Sequence, residues 1–317
     1  MVATRCMTYN QAPYIEETLQ GFLMQETSFP TIYIIVDDCS EDGEQDILRK
    51  WTKNNLLLGE TGVAYGQSRS YGEVIYARQR NKANSFFVIL MLSENLTKKG
   101  EGSKKTSYIS EWNEDAKYNA ICEGDDYWTD SLKLQKQVDY LENHQEVGLV
   151  YTDINRLNQE DMSLEKEFFK AMPLKNTHED FLLNAWFLAP CTWMYRSELS
   201  QKLPKLDRRK YFLGDTLWIL TYSKYSKIHF MSDVMAVYRV QKTSASHFEV
   251  YKKQRLFWRK NINTRMFFLK GKSIPFRLEF WRKVFSSGRP LFITQLRYYP
   301  QWIFDGLIDF FKVIFYK

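Results

Sequence analysis

Short apolar runs alternate with stretches of helical periodicity in the first part of the chain. Residues 2–7 form a strand-like run, and the apolar residues that follow recur at the 3.6-residue spacing of a helix. Residues 31–36 are continuously apolar and β-branched, as parallel strands covered on both faces tend to be. A polar turn then leads into a second helical stretch that runs through Leu48. This β-α-β-α order predicts a parallel, doubly wound α/β sheet.

Further buried strands are predicted at residues 86–92, 118–122, 147–152, 192–195 and 234–240. Helices are predicted after the second of these strands, from a start signal at residues 177–180, and over residues 215–225. Residues 53–85 are polar and show no clear period. We therefore expect one α/β domain over residues 1–247, with a helical extension over residues 248–317.

Three carboxylates follow the strand predicted at residues 118–122. The sequence reads N-A-I-C-E-G-D-D-Y-W-T-D, which puts Glu123, Asp125 and Asp126 directly at the strand end. In an open α/β sheet, ligands bind outside the carboxyl ends of the strands, and acids there repel one another unless a cation lies between them. Two interpretations stay open: a Mg²⁺ or Mn²⁺ site facing a diphosphate, and a solvated Asp-rich turn that caps the next helix.

Polar residues also end the first two predicted strands. Asp37 and Asp38 follow the second strand, and Thr8, Tyr9 and Asn10 end the first. A carboxylate at such a strand end can accept a hydrogen bond from a base N–H or a ribose hydroxyl, and a base can stack on the tyrosine. The alternative for one of the two aspartates is an Asx turn into the helix. Three strand ends thus bring polar groups to one rim, where we expect a phosphate-bearing ligand.

Asp215 stands at the start of another predicted helix. It follows Leu213 and Gly214, a pattern typical of a helix N-cap. A catalytic base could occupy the same position, because the start of a helix can project a carboxylate into a cleft. The spacing alone does not decide between the two interpretations.

Composition narrows the class of protein. The four cysteines, Cys6, Cys39, Cys122 and Cys191, form no C-x-x-C pair, so we expect reduced thiols in a cytoplasm rather than disulfides or a zinc site. We expect no signal peptide, because the chain begins with a strand-like run. The longest strongly apolar run, residues 86–92, is too short to span a bilayer.

Charge is distributed unevenly along the chain. The net charge is +6, but the residues from His247 onward carry 15 Lys or Arg against 4 acids, a local balance of +11 that leaves about −5 for the rest. The apolar face of the last predicted helix comprises Trp302, Ile303, Leu307, Phe310, Phe311 and Ile314. Two interpretations stay open for this tail: helices that pack on the catalytic domain, and an interfacial helix attracted to anionic lipid.

Several catalytic motifs are absent from the sequence. It contains no G-x-x-x-x-G-K-[ST] loop, no G-x-G-x-x-G after the first strand and no G-x-S-x-G elbow, and its four histidines lack metal-ligand spacing. These absences argue against P-loop, dinucleotide and α/β-hydrolase chemistry. The basic and aromatic tail contains no recognised nucleic-acid motif, so we expect no nucleic-acid partner.

Four regions resemble family 2 glycosyltransferases. M-T-Y-N-Q-A-P-Y-I at 7–15 resembles the family's opening strand and helix, and I-V-D-D-C-S-E-D-G at 35–43 resembles its V-D-D-x-S-x-D-G turn. C-E-G-D-D-Y-W-T-D-S-L-K-L-Q-K-Q-V at 122–138 resembles the family's D-x-D region closely and is the most specific of the four. L-G-D-T-L-W at 213–218, together with V-M-A-V-Y-R at 234–239, resembles the segments around the acceptor site.

The resemblance covers residues 2 to about 240. It implies a GT-A-type fold and a nucleotide-sugar donor, with a UDP-sugar favoured, in an enzyme similar to those that build bacterial capsules, O-antigens and other surface polysaccharides. The implied acceptor is a hydroxyl of a growing glycan or of a lipid-linked glycan. The implied location is the cytoplasm, on the inner face of the plasma membrane if the tail binds lipid.

The resemblance also implies a role for each matched residue. The nucleotide would be bound by Thr8, Tyr9, Asn10, Asp38, Glu123 and Asp125. A Mn²⁺ or Mg²⁺ ion would be held by Asp125 and Asp126, with Asp126 the favoured direct ligand. Asp215 would be the general base of an inverting reaction, in which an acceptor hydroxyl attacks the anomeric carbon while the nucleoside diphosphate leaves.

The chain departs from the family pattern at two positions. Gln241 stands where the family often has a histidine in a Y-R-x-H pattern, a role that His247 could take over. Glu123 is a longer acid at the first position of the D-x-D-like motif. Two other functions stay open. The missing histidine suggests a catalytically degenerate module that binds sugar nucleotides, and a nucleotidyltransferase acting on sugar phosphates would share the α/β sheet and the carboxylate-held metal.

Overall fold

The computed structural model describes residues 1–59, 67–172, 176–184, 188–241, 251–293, 307–308 and 310–315. The predictions for His247, Trp302, Ile303 and the domain boundary after residue 247 lie outside these residues. Two compact units are formed, the first within residues 1–174, 188–199 and 229–242, and the second within residues 175–187, 200–228 and 243–317.

The elements of the described chain follow the predicted alternation of strands and helices. The strands are β1 (Val2–Thr8), β2 (Thr31–Asp37), β3 (Leu56–Leu57), β4 (Gln67–Arg69), β5 (Gly72–Gln79), β6 (Ser85–Leu92), β7 (Tyr118–Ile121), β8 (Tyr127–Trp128), β9 (Val147–Asn158), β10 (Leu164–Glu165), β11 (Met194–Arg196) and β12 (Lys227–Val240). The helices are α1 (Ile15–Leu23), α2 (Glu44–Asn55), α3 (Ser103–Asn113), α4 (Lys133–Asn143), α5 (His178–Asn184), α6 (Asp215–Tyr225), α7 (Tyr251–Phe267) and α8 (Ile274–Ile293).

One large mixed sheet is the centre of the first unit. Its strand order is β3-β5-β6-β2-β1-β7-β11-β9-β12-β8, with β4 paired to β5 and β10 to β9. β6, β2, β1 and β7 run parallel, whereas β5, β11 and β8 pair antiparallel with their neighbours. The predicted α/β sheet flanked by helices is confirmed. The antiparallel margins were not foreseen, because β4 and β5 lie in the polar stretch that shows no clear period.

The register of the parallel strands sets the position of the polar residues. Thr8 at the end of β1 pairs with Asp37 at the end of β2, and Arg5 of β1 pairs with Ile121 at the end of β7. The carboxyl ends of three neighbouring strands therefore meet at one rim of the sheet, as the sequence predicted.

Aromatic side chains pack the helices of the first unit onto this sheet. Tyr33 of β2 stacks between Phe22 and Phe87, with ring centroids 5.0 and 4.7 Å apart. Burying a side chain of this size stabilises the fold by about 1.5–3 kcal/mol. Gly21 lets α1 approach closely, because a Cβ there would lie 2.9 Å from the backbone nitrogen of Trp128 in β8. Helix α1 is thereby fixed beside the loop that carries the three carboxylates.

The second unit is helical and contains the described part of the tail. Helix α5 begins with the predicted start signal, in which the Asp180 N–H donates to the Thr177 hydroxyl oxygen at 3.1 Å. A core of its own comprises Met266, Leu269, Phe280, Val284 and Val313. Within the described residues, every helix is too short or too polar to cross a membrane.

Candidate active site

The loop between β7 and β8, residues 122–126, carries the three predicted carboxylates and is called the acidic loop below. It continues the pairing of β7 with β1, because Cys122 N–H donates to the Arg5 carbonyl at 3.1 Å and Gly124 N–H to the Met7 carbonyl at 3.0 Å. The Met7 N–H in turn donates to Glu123 Oε2 at 3.0 Å. The loop therefore lies directly on the end of β1.

Gly124 allows this close approach. A Cβ at this position would lie 2.5 Å from the Thr8 hydroxyl oxygen and 2.4 Å from Gln11 Oε1. On the other side, the buried Thr18 hydroxyl lies 2.9 Å from the Gly124 carbonyl oxygen and 2.6 Å from the Asp126 carbonyl oxygen. The acidic loop is thus held between β1 and α1 by contacts that require a glycine in its middle.

Arg239, near the end of β12, holds the acidic loop from a third side. Its backbone N–H donates to Asp126 Oδ1 at 2.9 Å, and its guanidinium donates to the Asp125 carbonyl. The guanidinium also lies 5.0 Å from the Tyr14 ring centroid and 4.5 Å from that of Tyr127. Arg239 is 3% exposed, and burial lowers its pKa to about 10. Arg239 ends the segment 234–239 that resembles the family, but the sequence pattern indicates no role for it.

The three carboxylates differ in exposure. Asp126 is 3% exposed, whereas Glu123 and Asp125 are partly exposed. Burial raises the pKa of Glu123 to about 7 and raises the pKa of Asp125. For Asp126, burial and then the neighbouring Asp125 charge raise the pKa well above its usual range. A nearby cation would relieve this cost, because an opposite charge favours the ionised carboxylate.

Asp125 is the more exposed of the two predicted metal ligands. Its Oδ2 lies 3.3 Å from Gln241 Nε2, at the position where the family often has histidine. Within the part of the chain that the structure describes, no group of three or more His, Cys, Asp or Glu side chains is arranged to hold a metal. A cation here would take its other ligands from substrate and water. That fits Mg²⁺, which commonly binds one or two carboxylates plus substrate phosphates.

Asp38 lies at the neighbouring end of β2, and its side chain is already engaged by the protein. It accepts hydrogen bonds from the Leu96 N–H at 2.8 Å, the Thr97 N–H at 3.1 Å and Lys105 Nζ at 2.8 Å. Burial opposes its ionisation, but these hydrogen bonds outweigh it and lower the pKa of Asp38. In this structure Asp38 orders the loop after β6.

Tyr9 and Asn10 extend from the end of β1. The Tyr9 ring is partly exposed, and Lys98 Nζ lies 5.0 Å from its centroid. Asn10 adopts a left-handed backbone conformation with φ 53°, and its side-chain oxygen accepts from the Glu41 N–H at 2.8 Å. A partly exposed aromatic ring can stack a base, and this role of Tyr9 stays a prediction.

Glu44, at the start of α2, contacts residues that follow both β1 and β2. The sequence alone did not identify it as part of the site. Its carboxylate contacts the Thr8 hydroxyl and accepts from the Gln11 N–H and the Ser40 hydroxyl, both at 2.9 Å. It is fully buried, and burial raises its pKa. Its place directly after Gly43 is the sequence signal that could have identified it.

A buried lysine lies behind the acidic loop. Lys133 Nζ donates to Gln137 Oε1 at 2.7 Å and lies 4.4 Å from the Trp128 ring centroid. The Trp128 indole donates to the Cys191 carbonyl at 2.7 Å, which fixes the ring that follows the carboxylates. Lys133 is fully buried, and burial lowers its pKa to about 7. The sequence pattern alone indicates no role for Lys133.

Asp215 belongs to the second unit. Asp215 is the first residue of α6. The N-cap position, which was the alternative interpretation for Asp215, is occupied by Gly214. Asp215 Oδ1 accepts from the Thr216 N–H at 2.7 Å. Burial raises the pKa of Asp215.

The first unit therefore brings most of the predicted site residues together. Thr8, Glu123, Asp125 and Asp126 meet at the ends of β1 and β7, and Asp38 ends the adjacent strand β2. Asp215 belongs to the second unit.

Comparisons with known proteins agree with this architecture. Residues 7–80 match the family model described as Glycosyl transferase family 2. An uncharacterized protein of Mycobacterium tuberculosis (strain H37Rv) is 30% identical over 259 residues, which cover 80% of this chain but only 62% of that protein. The putative teichuronic acid biosynthesis glycosyltransferase TuaG of Bacillus subtilis is 25% identical over 247 residues, 78% of this chain and 81% of TuaG.

The fold is shared with a solved structure. The crystal structure of Staphylococcus aureus TarS 1–349 in complex with UDP-GlcNAc is similar with a TM-score of 0.62 and 18% identity, covering 99% of this chain and 81% of TarS 1–349. At this identity the similarity establishes the fold alone. The sequence match to glycosyl transferase family 2 covers residues 7–80, and the wider chain shares the fold of TarS 1–349.

Proposed function

We propose that the protein transfers a hexosyl or N-acetylhexosaminyl residue from a nucleoside-diphosphate sugar to a hydroxyl of a growing cell-surface or lipid-linked glycan. The observation that carries this proposal is the acidic loop, in which Glu123, Asp125 and Asp126 are held at the rim of a parallel sheet with raised pKa values. Such a rim is the usual ligand site of an open α/β sheet. The names of TuaG and TarS support the choice of a surface glycan and of a UDP-sugar as first candidates.

The donor would lie along the strand ends of the first unit. Tyr9 would stack on the base, with Thr8, Asn10, Asp38 and Glu123 completing the nucleotide site. A Mn²⁺ or Mg²⁺ ion held there would neutralise the charge that develops on the leaving diphosphate.

We assign the direct contact with this ion to Asp125, because it is the more exposed of the two metal candidates. Asp126 would help to hold the acidic loop in place, since its Oδ1 already accepts a hydrogen bond from the Arg239 N–H. This arrangement changes the preference for Asp126 that the sequence alone suggested.

Asp215 would act as the general base of an inverting transfer. The acceptor hydroxyl oxygen forms a bond to the anomeric carbon from the face opposite the leaving group. The bond from that carbon to the diphosphate oxygen breaks, and its electron pair leaves with the nucleoside diphosphate. The hydroxyl proton passes to the Asp215 carboxylate. General-base assistance of this kind contributes about 10²–10⁴-fold in rate.

The test combines donor binding and turnover. A panel of UDP-, GDP- and dTDP-sugars is screened by thermal shift, and nucleoside diphosphate release is then measured with Mn²⁺ or Mg²⁺. We expect Asp125→Asn to weaken donor binding and Asp215→Asn to abolish turnover while donor binding persists. Asp233→Asn, at a half-exposed surface aspartate, is the matched control.

Two outcomes would replace the proposal. Tight nucleotide binding without turnover in the parent protein would indicate a degenerate binding module. Pyrophosphate release from a nucleoside triphosphate and a sugar phosphate would indicate a nucleotidyltransferase.

A second role is favoured by exposed apolar side chains in the second unit. Ile274 and Phe315 are 60% and 71% exposed, and the basic residues Lys270, Arg282 and Lys312 are exposed as well. We propose that this part of the chain binds an anionic membrane surface, which would put the enzyme on the inner face of the plasma membrane. In flotation with phosphatidylglycerol vesicles, Phe315→Ser should reduce the bound fraction, and equal binding of both proteins would exclude this role.

A further inference from the structure

The segment that leads into Asp215, residues 207–214, lies along helix α7 and is called the approach segment below. The Phe212 N–H donates to the Thr264 hydroxyl oxygen at 2.9 Å and lies 3.3 Å from the Lys260 carbonyl oxygen. The Thr264 hydroxyl is also 3.0 Å from the carbonyl oxygens of both Phe212 and Lys260. Thr264 is fully buried. One threonine of α7 thus contacts both the N–H and the carbonyl of Phe212, three residues before Asp215.

Further contacts fix the same segment. Asn263 Nδ2 donates to the Lys210 carbonyl at 2.9 Å, and the Phe212 ring packs edge-on against Phe257 with centroids 5.0 Å apart. The segment folds back closely on itself at Gly214, where a Cβ would lie 2.7 Å from the Phe212 ring. The path of the backbone into α6 is therefore set by the side chains of α7.

A second residue of α7 reaches Asp215 through one intermediate. Asn261 Nδ2 donates to Thr216 Oγ1 at 2.9 Å. The Thr216 N–H donates to Asp215 Oδ1 at 2.7 Å, and hydrogen bonding from Thr216 opposes the effect of burial on the Asp215 pKa. Asn261 thus holds the side chain of the residue that contacts the base.

The state of Asn261 indicates that this donor matters. The residue is 8% exposed, and within the described part of the chain its Oδ1 has no hydrogen-bond partner. A buried polar atom without a partner costs about 1–3 kcal/mol. An apolar side chain would avoid this cost, so packing alone does not explain an asparagine here.

We propose that Asn261 and Thr264 are positioning residues for Asp215, which makes α7 part of the catalytic apparatus rather than an appendage. The inference rests on the proposed role of Asp215 as general base. A general base works only within hydrogen-bond reach of the proton that it takes, and a displacement of about 1 Å can cost about 10²-fold in rate. Thr264 sets the position of the base, and Asn261 sets its orientation.

The test compares turnover with donor affinity. We expect Thr264→Val to lower kcat by about 10–100-fold, with the donor Kd unchanged and with Thr264→Ser restoring most of the activity. Leu256→Ala, at a 54% exposed position of the same helix, is the control and should match the parent protein. Unchanged kcat in a folded Thr264→Val protein, or a loss that follows donor affinity, would overturn the inference.

The pH profile separates positioning from mere support of the fold. In Asn261→Leu the Thr216 side chain loses the contact that holds it, and hydrogen bonding from Thr216 to the carboxylate should weaken. The pKa of Asp215 should then rise, and the acidic limb of kcat should move to higher pH. An unmoved acidic limb would assign Asn261 a structural role only.

Hydrogen exchange distinguishes failure of this inference from failure of the proposed function. Amides of the approach segment should exchange faster in Thr264→Val than in the parent protein. If the parent turns over no donor, the proposed function fails, and faster exchange then leaves α7 with a structural role alone. If the parent is active and exchange in this segment is unchanged, the positioning inference fails while the proposed function stands.

Discussion

Replacing Gly124 with alanine should damage the acidic loop by steric overlap alone. The new Cβ would lie 2.7 Å from the Thr8 Cβ and 2.4 Å from Gln11 Oε1. Carbon atoms in contact are normally about 3.5–4.0 Å apart, so the loop or β1 must move by about 1 Å. Thr8 cannot yield easily, because it pairs with Asp37 of β2 and its hydroxyl contacts Glu44.

The cost of this overlap can be estimated from overpacked protein cores. Such substitutions cost about 1–3 kcal/mol in unfolding free energy. For a unit of this size, each kcal/mol lowers the Tm by roughly 2–4 °C. A displacement of the acidic loop should also reduce donor turnover by at least about tenfold, because catalytic groups tolerate little misplacement.

Thermal unfolding and nucleoside diphosphate release measure the two effects. Gly59→Ala is the matched control: Gly59 has φ +83° and open space around its Cβ position, so it carries a conformational cost of about 1–2 kcal/mol without overlap. We expect both variants to lose Tm but only Gly124→Ala to lose turnover. A Gly124→Ala protein with the parent's Tm and turnover would refute the close approach of the acidic loop to β1.

Three further outcomes are expected. Arg239→Lys should destabilise the protein by about 1–3 kcal/mol and raise the donor KM, because the Asp125 carbonyl loses its hydrogen bond from the guanidinium. Arg209→Lys, at an 89% exposed side chain, is the control and should change little. The pKa of Lys133 is about 7 in the folded protein and 10.5 ordinarily, so above pH 7 the unfolded chain binds one proton more than the folded chain. The free energy of unfolding should therefore rise by about 2–3 kcal/mol from pH 7 to 9. Urea unfolding measures this rise, and Lys133→Met should remove it. Chelation with EDTA should abolish turnover, and Mn²⁺ or Mg²⁺ should restore it; full activity after chelation would exclude the ion.

The parallel centre of the sheet was predictable because its strands are buried on both faces. β2 and β6 read as continuous apolar runs, so their burial is visible in the sequence itself. β4, β5 and β8 were not predicted, since each is short or polar and depends on pairing with a partner distant in sequence. Local propensity does not encode such pairing.

The acidic residues of the site were predictable, but the residues that hold them were not. Glu123, Asp125 and Asp126 form a compact sequence pattern. Arg239 contacts the same loop across more than a hundred residues of sequence, a contact that only the folded sheet creates. Lys133 reads as the exposed start of a helix and is instead fully buried beneath Trp128.

The sequence also left the tail open between two interpretations, packing and membrane binding. Part of the tail packs within the second unit, because Thr264 and Leu269 are fully buried there and α7 contacts the approach segment. The apolar period of α7 is weak, so its buried face could not be identified from spacing alone. The membrane role remains our proposal.

A time course of ¹H NMR spectra with a nucleotide sugar, a divalent cation and the parent protein tests the central claim most directly. We expect the donor's anomeric signal to decay while free nucleoside diphosphate accumulates, with the released or transferred sugar appearing in the inverted anomeric configuration. The Asp215→Asn protein should leave the donor intact while still binding it. An unchanged donor in the presence of the parent protein across UDP-, GDP- and dTDP-sugars, or a product of retained configuration, would contradict the account.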